Sequence, residues 1–163
     1  FHKDNKEKKD WNEIQDSIWN EETPMVYHGK HSVSNIQISP DERFVTYRLN
    51  KRADGEKMVY SQDVVYVKTG DTVTWLPKSK GHNVQFISVP DGIKKLKKSK
   101  LNKQFSFTFE RAGIYLYQCT PHKSMGMIGV VVVDGNVENK KIVAKTKVFG
   151  KSKKKLKKIL GTL

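Results

Sequence analysis

Ile114-Tyr115-Leu116-Tyr117-Gln118-Cys119-Thr120-Pro121-His122-Lys123-Ser124-Met125-Gly126-Met127-Ile128-Gly129-Val130-Val131-Val132-Val133 reads as two strands around a loop. The flanking runs, 114–118 and 128–133, are rich in β-branched and aromatic residues, the composition of strands that pack in a sheet. The loop between them opens on the only cysteine of the chain. A lone cysteine forms no internal disulfide, so its value lies in packing or in chemistry. Here it is followed by an imidazole at His122 and a thioether at Met127. Sulfur beside imidazole is a donor set that copper prefers over magnesium, calcium or manganese.

Cys-x2-His alone is a weak signal, and a buried structural cysteine is the plainer reading of it. Met127 sharpens it, because one loop then supplies three soft donors. A mononuclear blue-copper site takes two histidines and a cysteine in a plane, with a weak and distant methionine on the axis. The missing histidine has to come from another strand, well upstream. His82, in Gly81-His82-Asn83-Val84 at a strand start, stands in such a setting. The expected ligands of one copper ion are therefore His82, Cys119, His122 and Met127. Asn83 is placed to tie the two ligand segments together by hydrogen bonds, with an ordinary turn residue as its plain reading. Pro121 shapes the loop, and Met125 packs against the site or covers its rim. His28 and His31 form a loop pair with no acidic or sulfur partner nearby, which reads as surface histidine more readily than as a second metal site.

Outward from the loop, residues 44–49, 64–67, 72–76, 84–87 and 105–109 also read as short strands. Turn signals separate them: Asp54-Gly55, Gly70-Asp71, Pro90-Asp91-Gly92, Ala112-Gly113 and Asp134-Gly135. Phe105, Phe107 and Phe109 alternate with Ser106 and Thr108, which puts three rings on one face. Seven short strands so spaced predict an all-β sandwich or barrel. After Gly135 the pattern turns helical: Leu156, Ile159, Leu160 and Leu163 make an apolar stripe opposite a lysine face. Near the start, Asp10-Trp11-Asn12-Glu13 reads as a capping box, and Trp11, Ile14, Ile18 and Trp19 as one apolar stripe of a short helix over about 10–20. The predicted organisation is an extension over 1–42 and a β domain with a basic helical tail over 43–163.

With 163 residues the chain fits one domain with an appendage, and the net charge of +14 is uneven. Residues 1–42 carry a net −4 and residues 43–163 a net +18. Six lysines and no acid lie in 94–103, and ten lysines and no acid in 140–158. A charge run is either a solvated face or a means of steering an acidic partner. No helix-turn-helix, zinc-finger or RNP-like motif supports nucleic acid as the partner. No run of eighteen or more apolar residues is present to span a membrane. The chain opens on Phe1 without a secretory signal, which reads as a mature form whose export signal is absent.

Taken together, Gly70-Asp71-Thr72-Val73-Thr74-Trp75-Leu76-Pro77, Lys80-Gly81-His82-Asn83-Val84, Gly113-Ile114-Tyr115, Cys119-Thr120-Pro121-His122 and Met125-Gly126-Met127-Ile128-Gly129-Val130 resemble the pseudoazurin branch of the cupredoxins. The resemblance runs from about Phe44 to the C-terminus. It implies a Greek-key β-sandwich closed by two C-terminal helices, the same four ligands, and a periplasmic shuttle of single electrons rather than an enzyme. It further implies delivery to an acidic redox partner, most typically copper nitrite reductase in denitrifiers. The edge of His122 would lie in an apolar patch ringed by Lys80, Lys94, Lys95, Lys97, Lys98 and Lys123. The acidic extension departs from the family pattern. It folds back on its own domain, bridges subunits of a homo-oligomer, or docks a partner; the sequence leaves these open. The competing functions are a copper-handling chaperone or storage protein, and a basic module that binds an anionic membrane surface.

Overall fold

The computed structural model describes residues 44–163. The predicted helix over 10–20, the His28–His31 pair and the rest of the extension over 1–42 lie outside these residues. Eight strands, β1 (Phe44–Lys51), β2 (Lys57–Tyr60), β3 (Val64–Val67), β4 (Thr72–Pro77), β5 (Gln85–Ser88), β6 (Phe105–Thr108), β7 (Gly113–Gln118) and β8 (Ile128–Val133), precede two helices, α1 (Lys140–Ala144) and α2 (Lys151–Gly161). One sheet runs β2-β1-β4-β6 and the other β3-β8-β7-β5. β1 pairs with β4, and β3 with β8, in parallel; the other pairs are antiparallel. The all-β sandwich and the two closing helices are as expected, and the seven predicted strands are present. The eighth, β2, is Lys-Met-Val-Tyr, paired at the edge with the far end of β1; with a single β-branched residue after Lys and Met, its run carries little strand signal.

β7 and β8 are buried at every position, unlike a strand with one wet face. Tyr115, Tyr117, Val131 and Val133 point into the sandwich beside Trp75, Phe86 and Phe109. Ile114, Leu116, Ile128, Val130 and Val132 point the other way and pack under Val143, Val148, Leu156, Ile159 and Leu160. The apolar stripe of the tail is therefore spent on the outer face of the second sheet. Phe105, Phe107 and Phe109 all join the inner cluster, while Ser106 and Thr108 hydrogen-bond Thr74 and Thr72 on the wet face. Asp63 accepts from Arg52 Nη1 at 3.0 Å and forms an ion pair with Lys155 Nζ of α2 at 3.0 Å.

Strand β1 departs from simple alternation. Tyr47 and Leu49 join Val59 in a separate small cluster, and Thr46 and Arg48 on the other side are fully buried. Its polar face thus points toward the loops that carry the predicted ligands.

Candidate metal centre

Cys119 follows β7 directly, and its loop closes on itself through backbone bonds. Cys119 N donates to Met127 O at 2.9 Å, His122 N to Cys119 O at 3.1 Å, and Met125 N to His122 O at 2.9 Å. Gly126 completes the turn with φ +93°, a conformation open to glycine and costly for other residues. The loop thereby carries Cys119 and Met127 inward, both fully buried, and leaves His122 half-buried with Pro121 and Lys123 exposed. Met127 shares the inner core with Cys119, whereas Met125 is 46% exposed and belongs to the rim.

His82 arrives from the β4–β5 connection and is fully buried. Its carbonyl accepts from Asn102 N at 3.0 Å and from Arg48 Nη1 at 3.2 Å. Asn83 spans the two ligand segments: its Oδ1 accepts from Thr120 N at 2.7 Å and its Nδ2 donates to Thr120 Oγ1 at 3.1 Å. Tyr60 from β2 donates its hydroxyl to the Asn83 carbonyl at 2.8 Å. Two segments 37 residues apart are thus held in one frame.

Within that frame three donor atoms converge. His82 Nδ1 lies 3.1 Å from His122 Nδ1 and 3.7 Å from Cys119 Sγ, and His122 Nδ1 lies 3.4 Å from the same sulfur. The point equidistant from the corners of that triangle is about 2.0 Å from each, the length of a first-row metal bond to imidazole nitrogen, and a shift of a few tenths of an ångström away from the sulfur gives the longer bond that a thiolate makes. The donor chemistry agrees. His82 Nε2 sits 2.7 Å from Asn50 Oδ1, which can only accept, so the ring proton belongs on Nε2 and Nδ1 presents a lone pair inward. The backbone N–H groups of Asn83 and His122 favour the thiolate form of Cys119. Burial holds His82 down to about 4, helped by His122 and Arg48, and it also lowers His122. The imidazoles are therefore neutral and free to ligate. Burial pushes the Cys119 thiol up in the absence of a cation, and a bound metal reverses that preference by taking the thiolate. These three residues are the metal-competent His/Cys/Asp/Glu group among the described residues.

Three features of the site have no signature in the sequence. Asn50 and Arg48 reach it from β1, which carries no motif-like wording. The start of α2 supports the loop from outside: Lys151 N donates to Ser124 O at 2.9 Å and Ser152 Oγ to Lys123 O at 2.6 Å. Lys123 lies over the Phe149 ring, with its Nζ 5.0 Å from the centroid. The other lysines of the expected ring, Lys80, Lys94, Lys95, Lys97 and Lys98, are exposed, and Lys98 lines a shallow groove with Asn83, Thr120 and Pro121.

The profile of the copper-binding plastocyanin/azurin family matches residues 47–134. A Rhizobium leguminosarum bv. viciae protein named as a pseudoazurin is 38% identical over 110 residues, covering 66% of this chain and 71% of its own. The structure resembles that of a Sinorhizobium pseudoazurin, with TM-score 0.69 and 40% identity over 72% of this chain and 93% of that one. A pseudoazurin of Hyphomicrobium denitrificans gives TM-score 0.69 at 31% identity, over 74% and 97% of the two chains.

Proposed function

The chain belongs to the plastocyanin/azurin family of copper-binding proteins, and on that premise we propose that it is a type-1 copper electron carrier whose single ion is held by His82, Cys119, His122 and Met127. The observation that carries the reading is the triangle of two imidazole nitrogens and one sulfur, with sides of 3.1, 3.4 and 3.7 Å, around a point a metal would fill. When bound, copper supplies a one-electron couple between Cu(II) and Cu(I), tuned by the weak thioether. The protein holds the donors in one arrangement through Asn50, Asn83 and the closed loop, so little rearranges as the charge changes. Burial of Cys119 and His82 suits a resident ion rather than one passed from protein to protein. Leu156, Ile159 and Leu160 are buried against the sheet, so the membrane-surface reading keeps only the lysines of 140–158 and has no apolar stripe of α2 to insert.

The half-buried ring of His122 is the electron's way in and out. Around it stand exposed Pro121, Lys123 and Met125, a mixed apolar and basic rim that suits an acidic redox protein. We assign the docking role to this rim together with Lys80, Lys94, Lys95, Lys97 and Lys98. The chain is a carrier and not an enzyme in this reading, because side chains supply every metal position and none is left for substrate. We assign a periplasmic oxidoreductase such as copper nitrite reductase as the partner, on the ground of the sequence resemblance alone.

Titrating the metal-free protein with one equivalent of Cu(II) tests the centre. An intense visible band from thiolate to copper, bleached by reductant and restored by oxidant, is expected, with no band in Cys119→Ser. A colourless copper complex of the unaltered protein overturns the reading, and two tightly bound coppers per chain overturn the single site.

A further inference from the structure

Arg48 is fully buried in the middle of β1, where an apolar side chain of similar length would fill the space without a charge to desolvate. Its Nη1 donates to the carbonyl of His82 at 3.2 Å, and its Nη2 to those of Trp75 at 3.4 Å and Lys103 at 2.5 Å. No carboxylate of the described residues forms an ion pair with it. Three carbonyl dipoles orient the guanidinium, and none neutralises it. Arginine stays protonated inside proteins, so a full positive charge is fixed here.

That charge stands one hydrogen bond from the backbone of a predicted copper ligand. The same guanidinium also binds the carbonyls of Trp75 and Lys103, so its position beside the His82 segment is fixed from three sides. Nothing in the holding of the ligands requires a cation at this position, since Asn50 orients the His82 ring and Asn102 already donates to its carbonyl.

Resting on the copper reading above, we propose that Arg48 sets the electron affinity of the centre, acting as a fixed buried cation that favours the reduced state over the oxidised one. An electron accepted from the donor protein removes one unit of positive charge from the site, with no bond formed or broken. The neighbouring guanidinium is therefore repelled less once the electron has arrived. For unit charges about 10 Å apart at an effective dielectric constant of about 20, the bias is on the order of tenfold, or 59 mV for a one-electron couple. Arg48 is a positioning and tuning residue here; it touches the ligand's backbone and not the metal.

The test poises the copper-loaded protein and its Arg48→Met, Arg48→Gln and Arg48→Lys variants against a redox mediator of known potential, with the visible band recorded for each. The two neutral variants are expected to keep the band and to shift toward the oxidised form by on the order of tenfold. The lysine variant, which keeps the charge and loses the fork, is expected within about threefold of the unaltered protein. A normal band with an unmoved equilibrium in both neutral variants overturns the role of Arg48 and leaves the copper centre standing. A shift in Arg48→Lys as large as in Arg48→Met overturns it too, since hydrogen bonding and not charge would then be responsible. Loss of the band in the neutral variants places Arg48 in the scaffold and overturns the tuning role. Loss of the band in the unaltered protein is a failure of the copper reading itself.

Discussion

Two asparagines hold the donor atoms where a metal needs them, and they do so differently. Asn50 fixes the tautomer and tilt of His82 through one bond of 2.7 Å. Its replacement by alanine frees the ring, and copper affinity is expected to fall about 10- to 100-fold in a competition titration against a chelator. Asn83 instead joins the two ligand segments, through two bonds to Thr120. Asn83→Ala leaves the Thr120 N–H without that acceptor and is expected to cost about 1–3 kcal/mol, read by chemical denaturation of the metal-free protein. The same form has a pH signature. His82 is held at about 4, below its ordinary 6.5, so between these values the unfolded chain binds a proton that the folded one refuses. Stability of the metal-free protein therefore falls as pH drops from about 6.5 toward 4, and this contribution levels off below. Denaturation midpoints taken across that window should show the slope, and His82→Gln should reduce it. His122, lowered in the same direction, keeps part of it in that variant.

Among the elements, α2 has the role least expected of it. Its first turn meets the copper loop at Ser124, and Gly150 makes that approach possible: φ is +51°, and a Cβ there would run into the Ser124 carbonyl oxygen. Gly150→Ala is expected to destabilise by about 1–3 kcal/mol, from overpacking and left-handed strain together, and to perturb the visible band. At Gly161, the other end of the same helix, a Cβ would meet nothing within 4 Å, so Gly161→Ala should be neutral or stabilise by up to about 1 kcal/mol. Thermal unfolding of the two variants compares them directly. The stripe of Leu156, Ile159 and Leu160 was legible as helix, because its period is local. Its target was not, since the outer face of β7 and β8 is a partner more than twenty residues away. Likewise Cys119, His122 and Met127 announce themselves within one loop, and the Gly-His-Asn wording exposes His82. Asn50 and Arg48 are hidden by β1 itself: Val45, Tyr47 and Leu49 mark the apolar face as the one that matters, whereas the polar face supplies the site. Only the pairing of β1 with β4 and the path of the 78–84 connection bring them together.

Among the described residues lysines stand toward both ends of the sandwich, and that arrangement separates local steering from bulk attraction. Lys94, Lys95, Lys97 and Lys98 belong to the segment that runs beside β5, where Lys97 O accepts from Phe86 N and Lys98 lies in the groove with Pro121. Lys141 and Lys145 sit on or beside α1, which is anchored through Asn139 to Ile114 near the start of β7. Cys119 lies just past the other end of that strand, so the two sets of lysines differ in distance from His122 while carrying the same kind of charge. Local steering and bulk attraction by the net +14 then make different predictions. Changing Lys94, Lys95, Lys97 and Lys98 to glutamine should slow electron transfer to an acidic partner on the order of tenfold at low ionic strength, where the Debye length is about 30 Å. Near 1 M salt, with a Debye length of about 3 Å, variant and unaltered rates should converge. Changing Lys141 and Lys145 should have a much smaller effect at every salt concentration. Stopped-flow rates over that range check all three. Equal slowing per charge from the two sets would assign the effect to net charge, and no slowing from the first set would remove the 94–98 segment from the docking face. In neither case would the copper centre be touched, because none of these lysines contacts a donor residue.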